Sequence, residues 1–400
     1  MGGEFMKIKK LLVIFVLVLS LIAVSQTYIN IGTIERNNEK FFVYELSPEF
    51  SIGPVTIGIG FTSYSTDVVY GEMYYGIPSS TPSTNILNAF VINTFALNTD
   101  LFEFRYGKVK PVTLAMGFNV RKYVNPNTRA FDITLKFSDL SLYTHLPYEI
   151  SKYIPFEFLR SDSIFMTSLG YNLSSLLKIQ SYLIADVDAT VSYTEDSSTP
   201  VKYGGGIAAY IPILNSIKIG GEIAAQSDES FQKISKGLFA GVFADLGLIN
   251  PMGGIYYTMD GYIPFLFNKK YSSLKFDSNL PSMSSTDSVL GYFAGADIDF
   301  EPYITGEFYV YGLLENSTPV AEGNVRVILP ELGNFSGLII DGTYFDDSPF
   351  EGGKLLDENT EAILRLSYPL IGNNFVAGIQ YKWESDEWFK SIFISSVSSF

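Results

Sequence analysis

The chain has no cysteine and a single histidine, His145. The first absence excludes disulfides and thiolate metal sites. The second removes the residue on which most acid–base catalysis and most transition-metal sites depend. Charge is also scarce: Asp, Glu, Lys and Arg make up 17% of the chain, against roughly 25% in ordinary soluble domains. Bases are the rarer sign, 27 against 42 acids, for a net charge of −15, which argues against a nucleic-acid face. There is no clean internal repeat, no heptad pattern and no linker dividing the chain into two domains. Beyond Val24, no stretch approaches the ~18 consecutive apolar residues of a transmembrane helix. What is abundant is aromatic and flexible: 32 Phe, 27 Tyr and 34 Gly, but only 2 Trp.

Residues 1–5, MGGEF, read as a vector-derived scar before a native start at Met6. Residues 6–25 carry the marks of a secretory signal peptide: a basic start at Lys7, Lys9 and Lys10, an apolar run from Leu11 to Val24, and small residues at Ala23 and Ser25. The exported part is then 26–400, a single domain.

Strict alternation dominates that part. In VTIGIGFTSY, Val55, Ile57, Ile59 and Phe61 share one face, and Thr56, Gly58, Gly60 and Thr62 the other. The same code recurs in PVTLAMGFNVR (111–121), AFDITLKF (130–137) and FVAGIQYKW (375–383). Alternation with β-branched and aromatic residues reads as strands. Runs of about ten residues suit a tilted strand crossing a bilayer. Short connections occur near Pro54, Asn98, Pro212, Ile249, Pro302, Pro330 and Leu370. Longer polar ones span 65–85, 138–163, 260–288 and 345–360. The expected fold is all-β: a transmembrane antiparallel barrel of about 20 strands (16–22), with 28–50 and 140–172 its least regular parts. An exported β-sandwich or β-helix would also alternate, but its exposed faces would carry far more Lys and Glu.

Strand charges fall mainly on the polar face: Glu103, Arg105, Arg121, Asp132, Lys136, Asp186, Asp188, Glu222, Asp297, Asp299, Glu307, Arg326, Arg365 and Lys382. In a water-filled lumen they would act on permeating solutes, and a modest carboxylate excess would favour cations; singly, each also fits a hydrated or paired lumen residue. Asp186/Asp188 and Asp297/Asp299 each share a face by period two. They lack the spaced ligands and glycine of a calcium loop, so no metal site is read. Tyr and Phe near segment ends, among them Tyr64, Tyr106, Tyr256, Tyr257, Tyr309 and Tyr381, read as interfacial girdles rather than a sugar track. His145, beside Pro147, is placed in a loop and has no catalytic partner set. Gly204-Gly205-Gly206 lacks the context of a nucleotide loop and reads as a device relieving crowding in a strand. No catalytic group and no cofactor is expected.

Signal peptide, alternating strands, short turns opposite long loops, and a terminal aromatic together resemble bacterial outer-membrane β-barrels, specifically porin-like channels. The resemblance covers 26–400 and is one of architecture. It implies short periplasmic turns, insertion by the barrel-assembly machinery with Phe400 as signal, contact with outer-membrane lipid, and often a trimer. The function expected is passive diffusion of small hydrophilic solutes with weak cation preference, through a lumen narrowed by an inward-folded loop, 260–288 or 138–163. The alternatives are a plugged transporter of hydrophobic substrates, whose lumen would be apolar, and a structural or adhesive barrel with a closed lumen.

Overall fold

The structure, a computed structural model, describes residues 26–36, 39–67, 71–76, 83–125, 129–146, 164–174, 176–186, 200–214, 216–276, 280–281, 283, 288–315, 318–330, 337–349, 354–371, 375–384 and 386–396. The proposed scar and signal peptide, Asp188 and Phe400 lie outside them.

The strands are β1 (Gln26–Arg36), β2 (Glu39–Ile52), β3 (Val55–Ser65), β4 (Tyr74–Tyr75), β5 (Phe90–Asn98), β6 (Phe102–Lys108), β7 (Arg129–Phe137), β8 (Leu140–Leu146), β9 (Ile164–Ser174), β10 (Leu177–Asp186), β11 (Tyr203–Leu214), β12 (Ile217–Ser227), β13 (Ile234–Ala244), β14 (Ile249–Met259), β15 (Val289–Phe300), β16 (Ile304–Leu313), β17 (Val320–Ile328), β18 (Ile339–Asp346), β19 (Thr360–Ile371), β20 (Phe375–Glu384) and β21 (Glu387–Ser396). Among the described residues a short α-helix, α1 (Tyr271–Phe276), and a 3-10 turn at Ile86–Ala89 interrupt them. Two-residue β4 only extends the ladder of β3 above β5, which leaves 20 wall strands. Each wall strand pairs antiparallel with the next along the chain. The sheet also curls back on itself: Cα atoms of β21 and β1 approach within 8 Å. Antiparallel neighbours need only tight turns, and the approach of the first and last strands fits a wall without the edges that lipid forbids.

Turn length alternates around the sheet. One rim carries connections such as 53–54, 99–101, 138–139 and 301–303; the other carries 66–89, 109–128, 147–163, 187–202 and 260–288. With 20 wall strands, β1 begins and β21 ends at the short-turn rim. Ladder irregularities fall at Pro212 and Pro369, both near that rim; proline has no N–H to give a ladder and is tolerated at bulges.

The alternation reports which way side chains point. Along β13, Ile234, Leu238 and Val242 face outward and are exposed, while Ser235 and Phe239 are buried inside. Adjacent residues differ sharply: Ile223 is 65% exposed on the outer face and Glu222 is 2% exposed on the inner. Exposed Ile59, Leu169, Leu183, Ile207, Ile255, Phe308 and Leu364 continue the outward apolar surface around the wall. Water would not tolerate so extended an apolar patch; a hydrocarbon layer does.

Four expectations need correction. Residues 111–121 are not a wall strand. Ala115 (φ 53°) and Gly117 (φ 84°) break the extended path, and Leu114, Met116, Phe118 and Val120 are all buried. The segment 109–125 folds into the lumen instead. The stretch 138–163 is not one loop, because β8 occupies Leu140–Leu146 as wall. His145 is therefore a buried strand residue whose Nδ1 lies 2.8 Å from Asp132. The turn expected after Ile249 lies before it, and 249–254 belong to β14. Period-two patterning registers an extended segment with unlike faces; it does not say what each face meets.

Candidate functional site

The lumen is the only inward surface such a wall makes, and two inserted segments occupy one side of it. The first is 109–125. The second is 260–276, continued by buried Leu280 and Met283. They grip each other through backbone: Phe265 N–H donates to the Phe118 carbonyl (2.7 Å), Phe267 N–H to Asn119 (3.1 Å), and Arg121 N–H to Phe267 (2.9 Å). The sequence explains the insertion. YIPFLF (262–267) is too apolar for a loop bathed in water, and Tyr262, Phe265, Leu266 and Phe267 all lose their exposure inside. Phe118 stacks on Tyr262 at 4.9 Å and on Phe239 of the wall at 5.5 Å.

Polar wall residues hold the segments in place. Glu222 on β12 accepts the Met116 N–H (2.8 Å), the Phe118 N–H (3.4 Å) and the Tyr182 hydroxyl. Gln226, one turn of the pleat further, donates to Asn119 Oδ1 (3.0 Å) and the Ile263 carbonyl (2.8 Å), and accepts the Ile263 N–H (3.0 Å). It clasps both segments at once. Small residues on β11 make the room: a Cβ on Gly204 would lie 2.7 Å from Asn119 Nδ2, and one on Gly206 2.6 Å from the Tyr182 hydroxyl. Gly204 thus makes room for Asn119 of the inserted segment and Gly206 for Tyr182 of the wall, while Gly205 faces outward opposite Leu183.

Asp297 and Glu307 are directly opposed on β15 and β16. Two neighbouring carboxylates need cations to remain charged. Lys122 bridges them, 2.7 Å from Asp297 and 2.5 Å from Glu307, and Lys269 adds 2.6 Å to Glu307. Burial works most strongly against the Lys122 charge, but Glu307, Tyr309 and Asp297 around it together outweigh this and raise the ammonium above its ordinary range. Lys270 lies over the Phe345 ring, 3.4 Å from Glu322; there burial prevails and pulls its pKa down, Glu322 opposing. Asp186 receives Lys275 (2.6 Å) and the Tyr271 hydroxyl (2.5 Å) from α1.

The predicted lumen residues thus divide. Asp186, Glu222, Asp297 and Glu307 anchor the inserted segments. Glu103 pairs with Lys136 at 2.5 Å, and Asp132 with His145 and the Tyr143 hydroxyl, each at 2.8 Å. Arg105 faces Asp132 across the β6–β7 ladder. Arg121 belongs to an inserted segment and not to the wall. Arg326, Asp341, Arg365 and Gln380 form a row across β17–β20, each opposite the next in register. Arg326 Nε reaches Asp341 at 2.6 Å, and Arg365 Nε reaches Gln380 at 2.7 Å. Lys382 follows on the same face of β20, and Asp299 is exposed next to the β15–β16 turn. The carboxylates therefore do not make a bare acidic ring, since loop lysines neutralise much of their excess. Lys122, Lys269, Lys270 and Lys275 were not singled out from sequence. The signal was there: NKK (268–270) directly follows the apolar YIPFLF in a chain poor in charge.

The girdle reading also needs amendment. Tyr64, Tyr256 and Tyr309 are buried on the inner side, whereas Tyr106 lies on the outer face packed against Phe131. Outward aromatics near the rims are Tyr257 and Trp388 on one side, and Phe137, Tyr171, Phe300 and Tyr303 on the other.

On the far side of the lumen no described segment covers the inner wall of β19 and β20. Thr343, Glu361 and Arg365 point inward from β18 and β19 and are exposed. Among the described residues the polar row accordingly borders open space, while the inserted segments cover β9–β16 and reach Glu322 of β17 and Phe345 of β18 through Lys270.

A closed meander of antiparallel strands, apolar outside and with segments folded into a polar-walled lumen, defines a porin-like transmembrane β-barrel. No protein-family model and no curated protein matches the chain. Among solved structures it is similar to OccK10 (OpdN) of Pseudomonas aeruginosa, with 11% identity over 93% of this chain and 97% of that one and a TM-score of 0.37. It is similar also to OccAB4 of Acinetobacter baumannii, with 10% identity, 93% of each chain covered and a TM-score of 0.36. A mutant of the Rhodopseudomonas blastica porin gives 9% identity over 90% of this chain and 99% of that one, with a TM-score of 0.33. The sheet topology and the outward apolar surface stand without these likenesses.

Proposed function

We propose that the protein is an outer-membrane channel in which small hydrophilic solutes diffuse through an off-centre lane between the inserted segments and the inner face of β17–β20. The observation that carries this reading is the exposure of inward-pointing Thr343, Glu361 and Arg365, opposite a half-lumen filled by 109–125 and 260–276. The lane has both signs of charge along it, and its selectivity is accordingly mild. A weak preference for cations is supported by the net charge of −15. Export by residues 6–25, insertion through a signal including Phe400 and assembly as a trimer complete the proposal.

Purified protein in a planar bilayer is expected to give stepwise, ohmic conductance, with a reversal potential displaced slightly toward the cation in a salt gradient. A silent bilayer would sink the channel. Chemical cross-linking in native membranes tests the trimer separately. The apolar packing around Phe118 and Phe265 favours a second reading, a plugged transporter of hydrophobic substrates; it would show no ionic current until the inserted segments are displaced.

A further inference from the structure

We infer that the barrel has, at its short-turn side, a binding site for a small amphipathic anion, roofed by the 109–125 segment. A cavity of ≈ 860 Å³ lies there, between that segment and the inner wall of β9–β14. It lies within the size range of small-molecule pockets, about 300–1,000 Å³. Its mouth is set by Asp139 of the β7–β8 turn and by the ends of β9, β10 and β12. The backbone pairing of 109–125 with 260–276 closes it toward the long-loop rim.

Arg121 identifies the sign of the ligand. It lines the cavity and is only 9% exposed. Its guanidinium carbon lies 4.6 Å from the Phe293 ring centre and 4.4 Å from that of Tyr309, and Nη2 donates to the Met252 sulfur. Its Nε is buried and has no hydrogen-bond partner among the described residues. Nor does any described carboxylate form an ion pair with it, since Asp297 and Glu307 are taken by Lys122. A guanidinium has five donors and cannot discharge itself. Aromatic faces and a thioether compensate a buried cation only in part.

Three more cations line the same cavity: Lys122, already bridged to Asp297 and Glu307, and two others. Lys178 and Lys218 point inward from β10 and β12 and are exposed, and neither has an ion pair among the described residues. Among the described residues of the lining, Asp139 at the mouth and the already bridged Asp297 are the acids. The rest is mixed: Thr113, Gln180 and Tyr210 add polar groups, and Met116, Phe243 and Met252 form an apolar wall. A bare inorganic anion would satisfy the cations and leave that wall in water. An anion with a hydrocarbon body satisfies both. The site goes beyond the channel proposal and holds for a barrel that conducts nothing.

The test is direct binding. The full chain, labelled with ¹³C-methyl methionine and held in lipid nanodiscs, is titrated with 1-hexanesulfonate, whose charge does not titrate. The Met116 and Met252 methyl signals are expected to shift saturably, and that of Met259, at the other end of β14, to stay. Hexylammonium and 1-hexanol are expected to give no saturable shift. Combining Lys178→Gln and Lys218→Gln should weaken binding about tenfold, and Arg121→Gln should weaken it further. The inference is overturned if Met116 and Met252 do not respond, if hexylammonium shifts them equally, or if the double lysine variant binds unchanged. Should Arg121→Gln fail to assemble, the lysine variant still decides.

Discussion

Glu222→Ala should release the first inserted segment without disturbing the wall. The carboxylate is 2% exposed and accepts two backbone N–H groups, from Met116 and Phe118, besides the Tyr182 hydroxyl. The hydroxyl can turn to another acceptor; the two amides are fixed. Each buried donor left without an acceptor costs about 1–3 kcal/mol, so the docked state loses about 2 kcal/mol at the least. That raises the population of opened segment by about thirtyfold, since every 1.4 kcal/mol is a factor of ten. Hydrogen exchange of the assembled barrel in nanodiscs reads this directly. Amides of 112–121 should exchange about thirtyfold faster, while those of β12 and β13 keep their rates, because their ladder does not involve the side chain. Glu222→Gln should fall between, with one oxygen accepting and an NH₂ group turned toward a donor. Unchanged exchange at Met116 and Phe118 in the alanine variant would refute the reasoning: the apolar contacts of Phe118 would then suffice to hold the segment.

Further consequences concern wall, packing and lane. Ile223→Arg places a charge on the lipid face and should cost about 2–4 kcal/mol if near the bilayer midplane, seen as a smaller heat-modifiable fraction on SDS gels. An equal fraction for variant and parent would argue that this face does not meet lipid. A Cβ at Gly291 would overlap the Tyr256 ring; Gly291→Ala should lower stability by about 1–3 kcal/mol, and Tyr256→Ala in the same chain should recover part of it. Arg365→Glu reverses an exposed charge on the open lane and should move the reversal potential further toward the cation, with the wall's unfolding temperature unchanged. No movement would place the conducting path elsewhere.

The all-β class, the approximate strand number and, within the segments that pair as wall, the face most side chains take were written in the sequence, because a pleated strand exposes successive residues to opposite sides and a bilayer outside with polar space inside imposes unlike demands on them. Many of the short turns were legible too, since Pro, Asn, Asp and Gly punctuate antiparallel neighbours, but β8 inside 138–163 and the start of β14 at Ile249 were not. The charges at Glu103, Asp132, Glu222 and Glu307 could be assigned to the inner face by the same rule. What the sequence left open was what that face meets. The alternation of 111–121 is as regular as that of 130–137, yet only the second found ladder partners along its length; the first reached aromatic wall residues brought near by strands more than a hundred residues later. Likewise, Asp297 and Glu307 read as a source of selectivity until folding brings Lys122 and Lys269 between them. Those contacts depend on how two loops cross the interior of a closed sheet. Local period determines the wall; the lumen's contents are decided by long-range burial of apolar loop residues and by the pairing of charges that cannot be left alone inside.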